Sequence, residues 1–149
     1  MKKLINVNDN STATDVSLLL LRVSIATLML VHGLPKMEML FSGNPIQFPP
    51  VMGMSPTFSL ALAVFAEVFC SVLVLTGLVT RLAVLPLAFT MFTAVFFIHT
   101  ADPFQKKELA LIYLLVYAVL FVSGAGRFSL DYLLQQKPAK EVSRELASA

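Results

Sequence analysis

Arg22, His32, Lys36, Glu67 and His99 are the side chains of this sequence whose types and settings could do chemistry. Arg22, His32 and Lys36 fall within or at the edge of one apolar stretch, LLLLRVSIATLMLVHGLPK, residues 18–36. Packing gives an apolar helix no reason to carry a guanidinium, an imidazole or an ammonium. In a membrane span such a group marks a functional site by default. Glu67 stands mid-run in a second apolar stretch, and His99 closes a third. A lone ionised carboxylate is unstable in hydrocarbon and takes up a proton. Glu67 therefore reads in one of two ways: a protonated clamp hydrogen-bonded to helix backbone, or a proton-bearing or ligand-anchoring group with His32 as partner. His99 sits at a span end, where an interfacial histidine is also ordinary. His32 and Lys36 are four residues apart and would share a helix face, except that Pro35 interrupts the geometry between them.

Depth follows from about 1.5 Å of rise per helical residue. Counted from the boundary that holds Ser17, His32 lies about 22 Å up, Glu67 about 16 Å and His99 about 25 Å. Side chains lean toward the N-terminus of their own helix. On antiparallel spans the tips of His32 and Glu67 therefore approach each other. These groups form one expected polar layer. Arg22 lies only about 7 Å above that same boundary and leans away from the layer. It can snorkel to phosphates or carbonyls, pair with the Arg127–Asp131 segment, bridge to Glu67, or touch a ligand.

Two histidines and one glutamate on three segments, with no spacing signature, do not make a metal site, and none is expected. Cys70 is the single cysteine, which leaves no dithiol, and its apolar run makes it a small buried hydrophobe. No phosphate-binding glycine loop, catalytic serine constellation or dinucleotide fingerprint occurs. Phe89, Phe92, Phe96 and Phe97 are spaced for packing or lipid contact, and could also line a quinone or lipid pocket.

The elements that would position these residues are transmembrane helices. Hydrophobic residues make up 57% of the chain and charged ones 13%, against roughly 25% charged in soluble domains. Mean hydropathy is +0.80. The reading is an all-α integral membrane bundle of four helices in one domain over residues 16–134. A polar, disordered or interfacial segment (1–15) precedes it and a polar tail (135–149) follows. The first span is expected from Val16 to Leu34, capped by Thr14 or Ser17 and ended by Pro35, because a residue before proline resists the α conformation. No small-residue cleavage site follows it, so it should be retained. Residues 35–56 are rich in proline yet apolar, and should lie on the membrane or fold back over the bundle mouth. Ser55-Pro56 is a helix start. Further spans are expected at 57–78, at 82–99 with a tolerated kink at Pro86, and at 107–122. Ser129 should then cap a short amphipathic helix carrying Leu130, Leu133 and Leu134.

Four spans put both termini on one side. If that side is cytoplasmic it holds Lys2, Lys3, Arg81, Arg127, Lys137, Lys140 and Arg144, against Lys36, Lys106 and Lys107 opposite. The positive-inside rule therefore places both termini in the cytoplasm of a multi-pass inner-membrane protein. The net charge of +2 gives no case for nucleic acid.

The stretches LLLRVSIATLMLVHGLPK, GMSPTFSLALAVFAEVF and LTGLVTRLAVLPLAFTM, with His99 and the closing GAGRFSLD, resemble the DoxX family of small four-helix membrane proteins. The HG-x-x-K ending and the G-x-G-x-x-S-x-D exit are the more specific parts. The resemblance implies a bacterial inner-membrane bundle associated with membrane redox complexes, in a setting of oxidative stress or sulfur-compound oxidation. It brings forward a quinone as candidate cofactor, and other redox subunits or a homo-oligomer as candidate partners. The positions matched are His32, Lys36, Glu67 and His99, taken as ligand or proton sites, and Arg22, Gly33, Arg127 and Asp131, taken as structural or interfacial. The leading expectation is a quinone-interacting subunit. The alternative is a non-catalytic assembly protein whose polar residues are clamps. A solute or proton pathway ranks last, because Arg22 alone lines the lower half.

Overall fold

The computed structural model describes residues 11–136, and within them the chain is helical with no strands. The expectations for residues 1–10 and 137–149 lie outside the described residues. The elements are α1 (Ser11–Phe41), α2 (Pro56–Thr76), α3 (Thr80–Ile98), α4 (Phe104–Ser123) and α5 (130–136). By length and composition, α1, α2 and α3 can each cross a membrane. Helix α4 carries Lys106, Lys107 and Glu108 in its first turns, so its apolar part is shorter.

The buried faces follow helical spacing. Ile25 and Met29 on α1, Ala83, Leu87 and Met91 on α3, and Ala110, Tyr113, Tyr117 and Leu120 on α4 recur at intervals of three or four residues and meet in one core. The opposite faces expose Val31, Phe65, Phe69, Phe92, Phe96 and Leu115. Such faces suit lipid, since no aqueous protein gains from displaying them.

Helix α1 corrects the sequence reading at both ends. It already includes Ser11–Asp15, so Thr14 and Ser17 lie within the helix, and the Ser17 hydroxyl donates to the Ala13 carbonyl at 2.9 Å. It also runs through Pro35 to Phe41. Proline removes only its own bond to residue i−4, here Val31, which stands on the exposed face. The helix continues, and its 31 residues give a rod of about 46 Å, longer than the ~30 Å of hydrocarbon.

Two stretches open into π-helical geometry: Phe65–Cys70 within α2 and Ala94–Ile98 at the end of α3. The second closes with the His99 amide donating to the Ala94 carbonyl, five residues back, at 2.9 Å. Such insertions gather at functional sites because the extra residue re-aims the side chains around it. Glu67 lies inside the first. Ser55 caps α2 by accepting from the Phe58 amide, with Pro56 in the first turn. Residues 42–55 fold back over the bundle, pinned where the Val51 amide donates to the Ser59 hydroxyl at 3.1 Å.

The other end of the bundle is tied by polar side chains. Arg22 is buried and donates to the carbonyls of Ala125 (2.5 Å) and Phe128 (2.9 Å). It therefore neither snorkels to lipid nor bridges to Glu67. It holds the exit segment by its carbonyls. Asp131 accepts from the Val79 and Thr80 amides, at 2.8 and 3.2 Å, and so caps α3 from another element. Arg127 meets Asp15 twice: its amide donates to Oδ1 at 3.0 Å and its Nε lies 3.5 Å from Oδ2. Ser129 caps α5, accepting from the Tyr132 amide at 3.2 Å.

Candidate functional site

Glu67 is 2% exposed and meets Lys36, whose ammonium lies 2.5 Å from Oε1 and 2.7 Å from Oε2. The continuation of α1 past Pro35 makes this contact. Gly33 and Lys36 are three residues apart, so they share the face turned to α2. Gly33 is the point of closest approach: a Cβ there would lie 2.9 Å from Val68 Cγ2 and 3.0 Å from the Glu67 carbonyl carbon. Only a residue without a side chain fits. One turn later Lys36 reaches the carboxylate.

The expected partnership of Glu67 with His32 is thereby corrected. Lys36 supplies the counter-charge, and Glu67 is neither a lone carboxyl nor a clamp on helix backbone. His32 lies beside the pair and packs edge-on against Tyr113, ring centroids 6.1 Å apart. His99 points its Nδ1 at Asp102 Oδ2, 2.7 Å away, and Lys106 Nζ lies 3.3 Å from the other carboxylate oxygen. Outside the spans, the His99 hydrogen bond and then Lys106 hold the Asp102 carboxyl below the usual carboxylate range.

The ion pair forms a wall shared by two cavities. On one side His32, His99, Lys106, Tyr113 and the pair itself, with Met29, Met91 and Leu109, surround a small space of about 160 Å³. His32, Lys36, Glu67 and His99 thus all border one space. On the other side lies a larger cavity of about 380 Å³, lined by Phe48, Val51, Met54, Leu62, Phe65, Phe89 and Ile98, with Lys36, Glu67, Ser59, Thr90 and Thr93 among its polar groups. Phe48, from the 42–55 segment, also faces the Lys36 ammonium, 5.9 Å from ring centroid to Nζ. Of the four aromatic residues noted on α3, Phe89 lines the larger cavity, whereas Phe92, Phe96 and Phe97 form an exposed cluster.

Chemically, the pair offers an ammonium donor and a carboxylate acceptor at the polar end of an apolar chamber. That is the usual make-up of a small-molecule site: mostly apolar walls with few placed polar groups. Among the described residues no group of three His, Cys, Asp or Glu side chains could hold a metal ion. Arg22, Arg127 and Asp131 lie at the other end of the bundle, away from both cavities. Sequence spacing missed the Lys36–Glu67 pair. The signal was present, because Lys36 follows His32 by four residues, but Pro35 argued against using it.

The family model for DoxX matches residues 17–100, which span α1, α2 and α3 and contain His32, Lys36, Glu67 and His99. An uncharacterised protein of Haemophilus influenzae is 34% identical over 118 residues, covering 74% of this chain and 85% of that protein. No solved structure matches. With that family match over most of the bundle, the chain belongs to the DoxX family.

Proposed function

We propose that this DoxX-family membrane protein binds an amphipathic small molecule, a quinone, with its polar head at Lys36–Glu67 and its apolar part in the larger cavity. One observation carries the reading: an ion pair between buried Glu67 and half-buried Lys36 at one end of a chamber of about 380 Å³ walled mostly by aliphatic and aromatic side chains. The residues fit such a group. Lys36 would donate to a head-group oxygen, the Glu67 carboxylate would accept from a head-group hydroxyl, and Phe48 would cover the ring. A bound quinone would supply two-electron, two-proton acceptor chemistry. The chain's own share is to bind the head group, exclude water with the 42–55 segment, and keep a hydrogen-bond acceptor at Glu67. The protein then serves as a quinone-interacting subunit of a membrane redox complex, with other redox subunits or as a homo-oligomer.

The same proposal includes four crossings, with α4 spanning from about Leu109, both termini cytoplasmic, and residence in the inner membrane. The balance of lysines and arginines supports that orientation. Fusion of a reporter active on one side only to the C-terminus tests it.

A second reading has its own support. Lys36 satisfies both oxygens of Glu67, as a clamp between α1 and α2 would require, and the protein would then be a non-catalytic assembly partner. Titration of a short-chain quinone analogue into detergent-purified protein separates the two. The ligand reading expects saturable binding, weakened about tenfold or more by Lys36→Met or Glu67→Gln. Binding that these changes leave untouched, in folded protein, rejects it and favours the clamp.

A further inference from the structure

At the opposite end of the bundle from the ion pair, a cavity of about 460 Å³ opens between the start of α3, the end of α4 and α5. Arg81, Ser123, Gly124, Asp131, Tyr132 and Gln135 line it. Arg81 lies across the C-terminus of α4, where its NH2 group donates to the Val122 carbonyl at 3.1 Å. Its Nε and NH1 make no hydrogen bond within the described residues. Gly124 permits this arrangement: a Cβ there would lie 3.4 Å from Arg81 Nε, and its φ of +78° suits glycine.

The surroundings of the cavity say where it opens. Val79, Leu82, Val122, Phe128, Leu130 and Leu133 are large, apolar and exposed around it. Helix α5 presents its leucines outward and Tyr132 and Gln135 to the cavity. An amphipathic helix of this kind, set at the end of membrane-long helices, lies in the interface plane. The cavity therefore faces the head-group layer. Asp131 also borders it, but both its oxygens are engaged by the Val79 and Thr80 amides. The cationic group at the cavity is the Arg81 guanidinium, with the Asp131 carboxylate held back on the α3 amides.

We propose that this cavity is a binding site for a membrane glycerophospholipid, whose phosphodiester is held by Arg81 and whose glycerol hydroxyls or head-group substituent meet Tyr132 and Gln135. Charge complementarity selects the phosphodiester, since a guanidinium fork matches phosphate oxygens. The cavity volume exceeds that of a bare phosphate and leaves room for the attached head group. The apolar rim receives the start of the acyl chains.

Native mass spectrometry of the detergent-purified full chain tests this with three probes: phosphatidylglycerol, diacylglycerol with the same chains, and inorganic phosphate. One retained phosphatidylglycerol per chain is expected, with diacylglycerol lost on mild activation and inorganic phosphate neither binding nor displacing the lipid. Arg81→Gln should weaken retention about tenfold and Arg81→Lys should restore part of it. Gln135→Glu on the cavity side of α5 adds a repelling carboxylate without touching the core and should weaken retention similarly. Equal retention of diacylglycerol, or unchanged retention in both Arg81→Gln and Gln135→Glu, overturns the site. Binding of inorganic phosphate in competition with the lipid overturns the lipid as its occupant.

Discussion

Gly33 and Glu67 touch backbone to backbone: a Cβ at Gly33 would stand 3.0 Å from both the carbonyl carbon and the Cβ of Glu67. This contact sets the distance between α1 and α2 at the layer where Lys36 meets the carboxylate. Gly33→Ala should push the helices apart and lower stability by about 1–3 kcal/mol, the usual range for overpacking. Thermal unfolding in mild detergent reads the loss. An unchanged midpoint would mean that the helices part freely at this level.

The polar ends of the bundle were largely legible from residue type alone, because a charge in an apolar run has few explanations. His32, Glu67 and His99 do border one small space, as rise per residue and side-chain lean implied. The pairing within that layer was not legible. It depends on α1 continuing through Pro35 and on the π-helical stretch around Glu67. The first is decided by whether the carbonyl freed at Val31 faces outward. The second is decided by packing against α1 and α3, which no local pattern encodes. The caps at the other end were hidden for a related reason: Asp131 serves helix α3 from beyond helix α4, and capping rules look only a few residues along the chain.

Arg22 binds two carbonyls of the exit segment from inside the bundle, and Gly77 leaves room for it: a Cβ there would come within 2.7 Å of Arg22 Cζ. Arg22→Leu strands the carbonyls of Ala125 and Phe128. Hydrogen bonds to a charged group contribute about 1.5–3 kcal/mol each, so a loss of about 3 kcal/mol or more is expected. Hydrogen exchange should report it first at residues 125–131. Protection there equal to that of the native chain contradicts the role.

Val79 adopts φ +50° and ψ +38° just before α3, a conformation that a β-branched residue enters only under constraint. The constraint is Asp131, whose carboxylate accepts from the Val79 amide. Strain of this kind costs about 1–3 kcal/mol. Val79→Gly should therefore raise stability by about 1 kcal/mol, whereas Asp131→Ala should lower it by about 0.5–2 kcal/mol as a lost cap. The pair of shifts in unfolding midpoint, opposite in sign, is the check. Loss of stability in Val79→Gly would remove strain from the account.

Asp102 supplies the pH dependence of the loop between α3 and α4. His99 and then Lys106 hold its carboxyl below the ordinary range, so the folded loop favours the ionised form. The resulting stabilisation is complete above the unfolded value of about 3.9. It is lost as pH falls through the lower folded value. Carboxyl carbon NMR in micelles should show Asp102 titrating below about 3.9, with His99→Asn moving the midpoint upward. A native midpoint at or above the ordinary value would show that the His99 contact does not form in solution.

The Lys36–Glu67 pair decides between ligand site and clamp, and a double-mutant cycle measures it. Glu67 is buried, whereas Lys36 keeps 30% of its side chain exposed. Removing one partner of a buried pair costs about 3–5 kcal/mol, because the other charge is left unpaired. The exposure of Lys36 places Glu67→Gln and Lys36→Met at the low end of that range. Lys36→Met should cost more than Glu67→Gln, because it leaves the buried carboxylate alone, whereas the second leaves an ammonium with a path to water. Replacing both should cost much less than the sum, giving a coupling of about 1–3 kcal/mol. Such coupling is expected under either reading. They part on the double variant Lys36→Met with Glu67→Leu: a clamp is replaced by apolar packing and the protein keeps its partners and its function. A quinone site loses its head-group contacts and binds the analogue no better than either single variant. Retained binding in a folded double variant would refute the ligand role of the pair.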